Sequence, residues 1–471
     1  MRRFLMVATA AIAAATLAAC SHSSLQQSVL PSAEGPQYTS ALPDLGAMSP
    51  EALMVMRSPR YRACQTAPAG YAACYAILTD ASISSDFAPD AKGCNHYPGC
   101  YLPSDLQGAY GITGAAASKG KGVTVAVVDA YGYTGGYNGL ATDLATYRTL
   151  GGLPACGKGC FTVVNQKGGS SLPKPGKGNF AGWQGETALD IDMVSAICPR
   201  CNILLVEANN SQTSNLEAGV ATALKMAKIV TNSWGGAEYT ATKSLWDSHP
   251  GKVVIASSGD DGAGVLASYG GTPESQPCGF TGVVCVGGTS LNAAFGKYKG
   301  ERVWEDFHLV YSGIVYNLGA TGSGCSALVA KPSWQNDRGC KKRSATDISA
   351  DADPITGVAI ACLPCSKKNH GLIGGVGGTS ASAPMIAAMY ALAGNGTSFS
   401  NASQKIWTSG KSNFHDITLG FNDGKNLNPP FSDGDHATGL LCKKAIAYIC
   451  NAKAGYDGPT GWGSPNGLGA L

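Results

Sequence analysis

Charged residues are scarce in this chain: Asp, Glu, Lys and Arg make up 14% of its 471 residues, against roughly 25% in an average soluble domain. So few ionisable groups gather little charge on acidification, and the composition suits an acidic setting. The charge is also nearly balanced. A net charge of +3, with Lys and Arg scattered and not clustered, gives no electrostatic argument for a nucleic-acid partner. Histidine is scarcer still. The seven, His22, His96, His249, His308, His370, His415 and His436, sit in polar or loop-like contexts, and the interval from Asp129 to Asn232 has no imidazole.

Cysteine and glycine, by contrast, are plentiful, at 17 and 63 residues. The chain starts with Arg2 and Arg3 and an alanine-rich apolar stretch to Ala19, a basic start and an apolar core too short for a membrane span, which predicts an export signal. Leu17-Ala18-Ala19-Cys20 resembles a bacterial lipobox, so Cys20 is the expected lipidation site; plain cleavage and full secretion is the alternative. Setting Cys20 aside leaves an even number of cysteines in an exported chain, which argues for disulfides. Neighbours fall in close pairs: Cys64/Cys74, Cys94/Cys100, Cys156/Cys160, Cys198/Cys201, Cys278/Cys285, Cys325/Cys340, Cys362/Cys365 and Cys442/Cys450. Local bridging is the expectation; a zinc or redox reading of Cys198-Pro-Arg-Cys201 and Cys362-Leu-Pro-Cys365 lacks supporting histidines.

Residues 1–20 therefore read as a signal peptide with a lipobox, and residues 21–100, rich in Ser, Pro and Ala, as a short N-terminal region. From Gly122 onward apolar runs alternate with helical patterns. Strands are expected at 123–129, 161–165, 202–207, 228–233, 252–257 and 283–286, and helices at 140–149, 186–197, 215–227 and 383–393. Ser214 with Glu217 reads as a capping box for the third helix. The alternation predicts an α/β fold: a mostly parallel sheet with helices on both faces, functional residues at strand ends and helix starts, and one large domain over residues 101–471.

Gly377-Gly378-Thr379-Ser380-Ala381-Ser382-Ala383-Pro384 places a serine on a glycine-tight turn before an apolar helix, where free N–H groups and the positive dipole end can stabilise an oxyanion. Gly287-Gly288-Thr289-Ser290 repeats the tetrapeptide, but Ser290 closes an apolar run and reads as strand-end structure. The longer string GTSxSxP resembles the nucleophile motif of the subtilisin-like clan of serine peptidases. Gly122 to Asp129 resembles the first strand of that fold and ends in an acid, yet the histidine that would take the serine proton is missing.

The helix expected to carry that base holds Glu186 and Asp190 instead. Four residues apart, they share a face at about 5–6 Å between Cβ atoms. Two carboxylates in a cleft can share a proton, which raises one pKa and leaves the other group available as base. Asp192 faces away and receives no role. After the run 253–257, Ser258-Gly259-Asp260 puts an aspartate where subtilisins place an oxyanion-binding asparagine. Ionised, Asp260 could only accept and would repel the oxyanion; protonated, it donates.

Together with Tyr101-Leu-Pro-Ser-Asp-Leu-Gln-Gly-Ala-Tyr, these motifs resemble the sedolisins, acid-acting serine-carboxyl peptidases of the subtilisin-like clan, from Tyr101 to the C-terminus. The resemblance implies Ser380 as nucleophile, Glu186 as general base, Asp190 as its orienting partner and Asp260 as oxyanion acid. It also implies one structural Ca²⁺ ion held by the side chains of Asp416 and Asp457 and the carbonyls of Ile417, Lys453 and Gly455, an oxygen set that suits a hard cation. The short N-terminal region departs from the family's large propeptide. The expected partners are protein or peptide substrates, with no nucleic acid, membrane contact only through the lipid anchor, and a monomeric chain. A tripeptidyl-peptidase mode and a non-catalytic envelope binding protein stay open as alternatives to the endopeptidase.

Overall fold

The computed structural model describes residues 60–65, 67–79, 82–83, 99–247, 249–263, 275–306, 309–311, 314–316, 318–365, 372–394, 400–422 and 447–471. Its centre is a sheet of β1 (Thr124–Ala130), β2 (Phe161–Asn165), β3 (Asn202–Ala208), β4 (Ile229–Asn232), β5 (Val253–Ser257), β6 (Val283–Ala294), β7 (Lys297–Val303) and β8 (Ile348–Asp351). The order is β7-β6-β5-β4-β1-β3-β2, with β8 also on β6. Every pairing is parallel except β6 with β7. β1, β3 and β5 are near-continuous apolar runs because both faces of the sheet are covered there.

The pleat sorts each run into two cores. Val125 and Val127 of β1, Ile203 and Leu205 of β3, and Val253 and Ile255 of β5 pack with Leu189 of helix Trp183–Ile197 and Met385 of helix Thr379–Ala393. The intervening Ala126, Val128, Leu204, Val206 and Val254 pack with Leu216 and Val220 of helix Thr213–Met226 on the other face. A period of two in the strands against 3.6 in the helices yields this three-layer arrangement. The parallel strands end on one edge, and Asp129, Ser233 and Asp260 lie at or just after their carboxyl ends, where α/β sheets carry functional groups.

Three local expectations are corrected. The strand expected at 283–286 runs on to Ala294, first beside β5, then β8, then antiparallel to β7; Ser290 is therefore buried inside a strand, not at its end. The helix expected from 215 starts at Thr213, with Gln212 at its N-cap and no side-chain cap. Ser214 is already inside the helix, and Glu217 accepts hydrogen bonds from Thr242 and Trp246 instead of closing a capping box. The helix expected from 383 starts at Thr379, with Gly378 as N-cap, so Pro384 falls inside it. A proline there leaves the Ser380 carbonyl without its usual helical donor.

Six of the expected cysteine pairs are disulfides: Cys64–Cys74, Cys156–Cys160, Cys198–Cys201, Cys278–Cys285, Cys325–Cys340 and Cys362–Cys365. Cys100 and Cys450 are disulfide-bonded too. Cys20, Cys94, Cys442 and the N-terminal signal lie outside the described residues. Among the described residues no helix is long and apolar enough to cross a membrane.

Candidate active site

Ser380 is presented by the first turn of helix Thr379–Ala393. The turn is pinned at its start: Gly378 donates to the Ala352 carbonyl at 2.6 Å, and Ser257 donates through its hydroxyl to the Thr379 carbonyl at 2.9 Å. Gly378 has φ of +91°, and a Cβ there would stand 1.8 Å from the Tyr75 carbonyl oxygen and 2.7 Å from Asp260 Oδ2. Only glycine fits. The Ser380 hydroxyl donates to the Ser233 carbonyl at 3.3 Å.

Glu186 and Asp190 sit one turn apart on helix Trp183–Ile197, and both are fully buried. Burial pushes both carboxyls well above their usual range, and the charge of Asp129, at the end of β1, adds to it. The Ser380 hydroxyl is a polar neighbour of Glu186 and favours its ionised form; the Ser233 hydroxyl does the same for Asp190. Neither Asp190 oxygen meets a well-aligned donor, so burial dominates there. Asp129 is itself pushed up to about 7 by burial. Three acids thus share one buried cluster, where desolvation and the charge of Asp129 favour the protonated forms of Glu186 and Asp190.

Asp260 lies beside Gly378 and Thr379, near enough for its charge to raise the Glu186 pKa further. Its Oδ1 accepts from the Thr379 N–H at 2.8 Å and from the Thr379 hydroxyl at 2.7 Å. Burial raises its pKa to about 7, against the opposing pull of Arg62. With Oδ1 engaged as acceptor, Oδ2 on the Gly378 side is the oxygen available to carry a proton. The described histidines lie elsewhere, His249 against the Leu245 carbonyl and His415 stacked on Tyr298.

All four residues named from the motifs therefore converge. Asp192 does not join them: its carboxylate accepts from the Ala361 N–H at 2.8 Å. Sequence reasoning saw Asp129 as a strand-end acid but gave it no part in the cluster; the absence of histidine from that interval was the available signal. It also missed Tyr75 and Ala76, which reach the site from far upstream with no motif to mark them.

The residues expected to hold Ca²⁺ are adjacent in space as well. Asp416 accepts from the Gly455 N–H at 2.9 and 3.1 Å, while Asp457 accepts from Lys453 and Thr460. Asp457 is buried, and its pKa is raised to about 8 by desolvation, with the Asp416 charge adding to it. A buried carboxylate beside a second one is a donor set that a divalent cation relieves. Among the described residues no group of three or more His, Cys, Asp or Glu is placed to hold a metal, so carbonyl oxygens would complete the shell.

Residues 177–408 match the subtilase family. Kumamolisin of Bacillus sp. (strain MN-32) is 28% identical over 403 residues, covering 80% of this chain and 64% of its own length. Sedolisin of Pseudomonas sp. (strain 101) is 26% identical, covering 80% and 60%, and xanthomonalisin of Xanthomonas sp. (strain T-22) is 26% identical, covering 72% and 44%. The chain thus spans less than two thirds of the length of these relatives. The solved structure of a Pseudomonas sedolisin, a serine-carboxyl proteinase complexed with pseudo-iodotyrostatin, superimposes with a TM-score of 0.60 at 24% identity, over 78% of this chain and 96% of that one. By sequence relatives, matched segment and fold together, this chain is similar to the sedolisins and has their subtilisin-like fold.

Proposed function

We propose that the chain is an exported, acid-acting serine-carboxyl endopeptidase. The observation that carries this reading is the convergence on Ser380 of three buried acids, Glu186, Asp190 and Asp260, with raised pKa values and no imidazole among the described residues. Its relatives kumamolisin and sedolisin support the same class. Ser380 attacks a peptide carbonyl while Glu186 takes its proton, and Asp190 holds the carboxyl in place and shares its charge. Asp260 donates from Oδ2 to the oxyanion. Glu186 then protonates the leaving amine, and water repeats the sequence on the acyl-enzyme. Export is supported by the N-terminal signal and the disulfides; the lipid anchor at Cys20 is part of the same proposal.

The pH dependence follows from Asp260. It must be protonated to donate, and that form is lost as pH rises through about 7. Peptide hydrolysis should therefore be about tenfold slower at pH 8 than at pH 5, on the titration of this one group. Asp260→Asn, whose amide donates at any pH, should flatten this limb while lowering the rate overall. Equal rates for the unmodified enzyme across that span would dismiss the acid role.

The proposed Ca²⁺ ion would be held by Asp416, Asp457 and the nearby carbonyls, joining the 414–417 and 453–457 segments, and when bound it would supply rigidity. Chelation should lower Tm by several degrees, since ligand at about a hundred times Kd contributes ~2.7 kcal/mol. Added Ca²⁺ should restore it, and Asp416→Ala should abolish the response. A Tm indifferent to chelator would discard the ion.

A further inference from the structure

The catalytic candidates gather at the carboxyl ends of the parallel strands, and the opposite edge of the same sheet carries a different chemistry. Each of β1 to β5 begins shortly after a cation: Lys121 before β1, Lys158 before β2, Arg200 before β3, Lys228 before β4 and Lys252 before β5. They are far apart in sequence. The fold draws them into a row, because parallel strands all start on one edge, and across the sheet they run Lys252, Lys228, Lys121, Arg200, Lys158 on neighbouring strands about 4.8 Å apart. Lys252 is half-buried and the others are exposed.

The connections bring no acid to offset this charge. Segments 111–123, 151–161, 198–201, 223–228 and 248–252, which lead into the strands, contain no Asp or Glu, and Asp247, just before the last of them, is bonded to Lys243. Lys225 joins the row from the last turn of helix Thr213–Met226, a helix end that favours cations. This one edge holds more positive charge than the net +3 of the whole chain, so the rest of the molecule is acidic on balance.

Several of these cations are held in place by rigid pieces. Lys158 sits inside the Cys156–Cys160 loop and Arg200 inside the Cys198–Cys201 loop, and Arg200 also donates to the Ala117 carbonyl at 3.0 Å. A disulfide across so few residues gains less from chain entropy than a long-range one; what it fixes is the outline of the loop and the residue at its tip. Among Lys225, Lys228 and Lys252 the surface opens into a cavity of about 640 Å³ whose lining includes no carboxylate. Met226, 46% exposed, belongs to that lining.

We propose that this edge is a docking face for an anionic phospholipid surface, with the phosphates along the row of cations and Met226 among the headgroups. A broad row of fixed cations with an apolar side chain between two of them matches a sheet of charged headgroups over apolar chains. The acidic remainder is repelled by the same surface, which fixes the orientation: the Ser380 edge faces away from the lipid. A lipid at Cys20 would act beside this face, since stable anchoring takes two signals.

The test is sedimentation of the full chain with phosphatidylcholine vesicles and with the same vesicles containing about one-third phosphatidylglycerol, at low and high salt. A lipid at Cys20 raises binding to both vesicles alike, so the ratio between them reads the face. The expected result is tighter binding to the anionic vesicles, lost at high salt. Lys121→Gln, Lys225→Gln and Lys228→Gln should each lower that ratio about fivefold, with Tm unchanged. Lys297→Gln and Lys299→Gln, on β7 at the far end of β6, should leave it as it is. The fluorescence of Met226→Trp should shift to the blue on the anionic vesicles alone. Equal binding to both vesicles, an equal loss from the β7 variants, or a Met226→Trp emission that the anionic vesicles leave unmoved would each overturn the proposal. Retention on an anionic polysaccharide without preference for the anionic vesicles would assign the row to another partner and overturn it as well.

Discussion

Glu186→Gln should lower kcat by about 10⁴-fold, with KM little changed and the fold intact, because a group acting only in proton transfer contributes to the transition state and not to binding. Glutamine keeps the shape of the side chain and an oxygen that can accept from the Ala76 N–H, now made to Glu186 at 2.7 Å. What it cannot do is take a proton from Ser380. The substitution also removes one acid from a buried cluster in which each charge raises the others, so Tm at neutral pH should hold or rise. That combination, an inactive protein no less stable than its parent, separates a chemical role from a packing one. The assay is peptide hydrolysis at about pH 5 with kcat and KM resolved, beside a thermal melt. Loss of less than tenfold in kcat would show that another group deprotonates the serine, since general-base catalysis is worth 10²–10⁴.

The site was legible because its chemistry demands rare combinations. A serine after Gly377-Gly378-Thr379, two acids four apart on one helix and an aspartate after Ser258-Gly259 each have a bland explanation alone, but together they call for one another. The sheet was legible for a similar reason. β1, β3 and β5 are apolar on both faces, and such runs have few other uses in a soluble chain. What stayed hidden depended on contacts distant in sequence. Glu217 sits three residues after Ser214, as a capping box requires, but Trp246 and Thr242 claim its carboxylate, and no local pattern announces that. Ser290 was placed at a strand end because the apolar run stops at Val286; the strand continues because β8 and β7 arrive from downstream to pair with it. The arrival of Tyr75 and Ala76 at the site is of the same kind, since backbone hydrogen bonds carry no side-chain signature.

Asp347→Ala should cost about 3–5 kcal/mol of stability, the range for stripping one partner from a buried ion pair. Asp347 and Arg343 are both wholly buried. The Asp347 carboxylate accepts from Arg343 Nη2 at 2.7 and 2.8 Å, from Trp407 Nε1 at 2.6 Å, from Ser403 Oγ at 2.6 Å and from the Cys285 N–H at 2.9 Å. Alanine would leave a guanidinium without its carboxylate and several donors unsatisfied, so the loss exceeds the worth of any single bond. The consequence should reach the nucleophile. Asp347 directly precedes β8, β8 lies along the Val286–Thr289 stretch of β6, and Ala352 just beyond it receives the Gly378 N–H that starts the Ser380 helix. Urea unfolding would read the cost as a lowered midpoint at unchanged slope. Should the alanine variant fail to fold, Asp347→Asn, which keeps one acceptor oxygen but places an NH₂ among donors, should fold with a smaller loss. A cost below about 1 kcal/mol for the alanine variant, as for a surface pair, would show that water reaches Arg343 and that this hub does not hold the nucleophile's supporting strand.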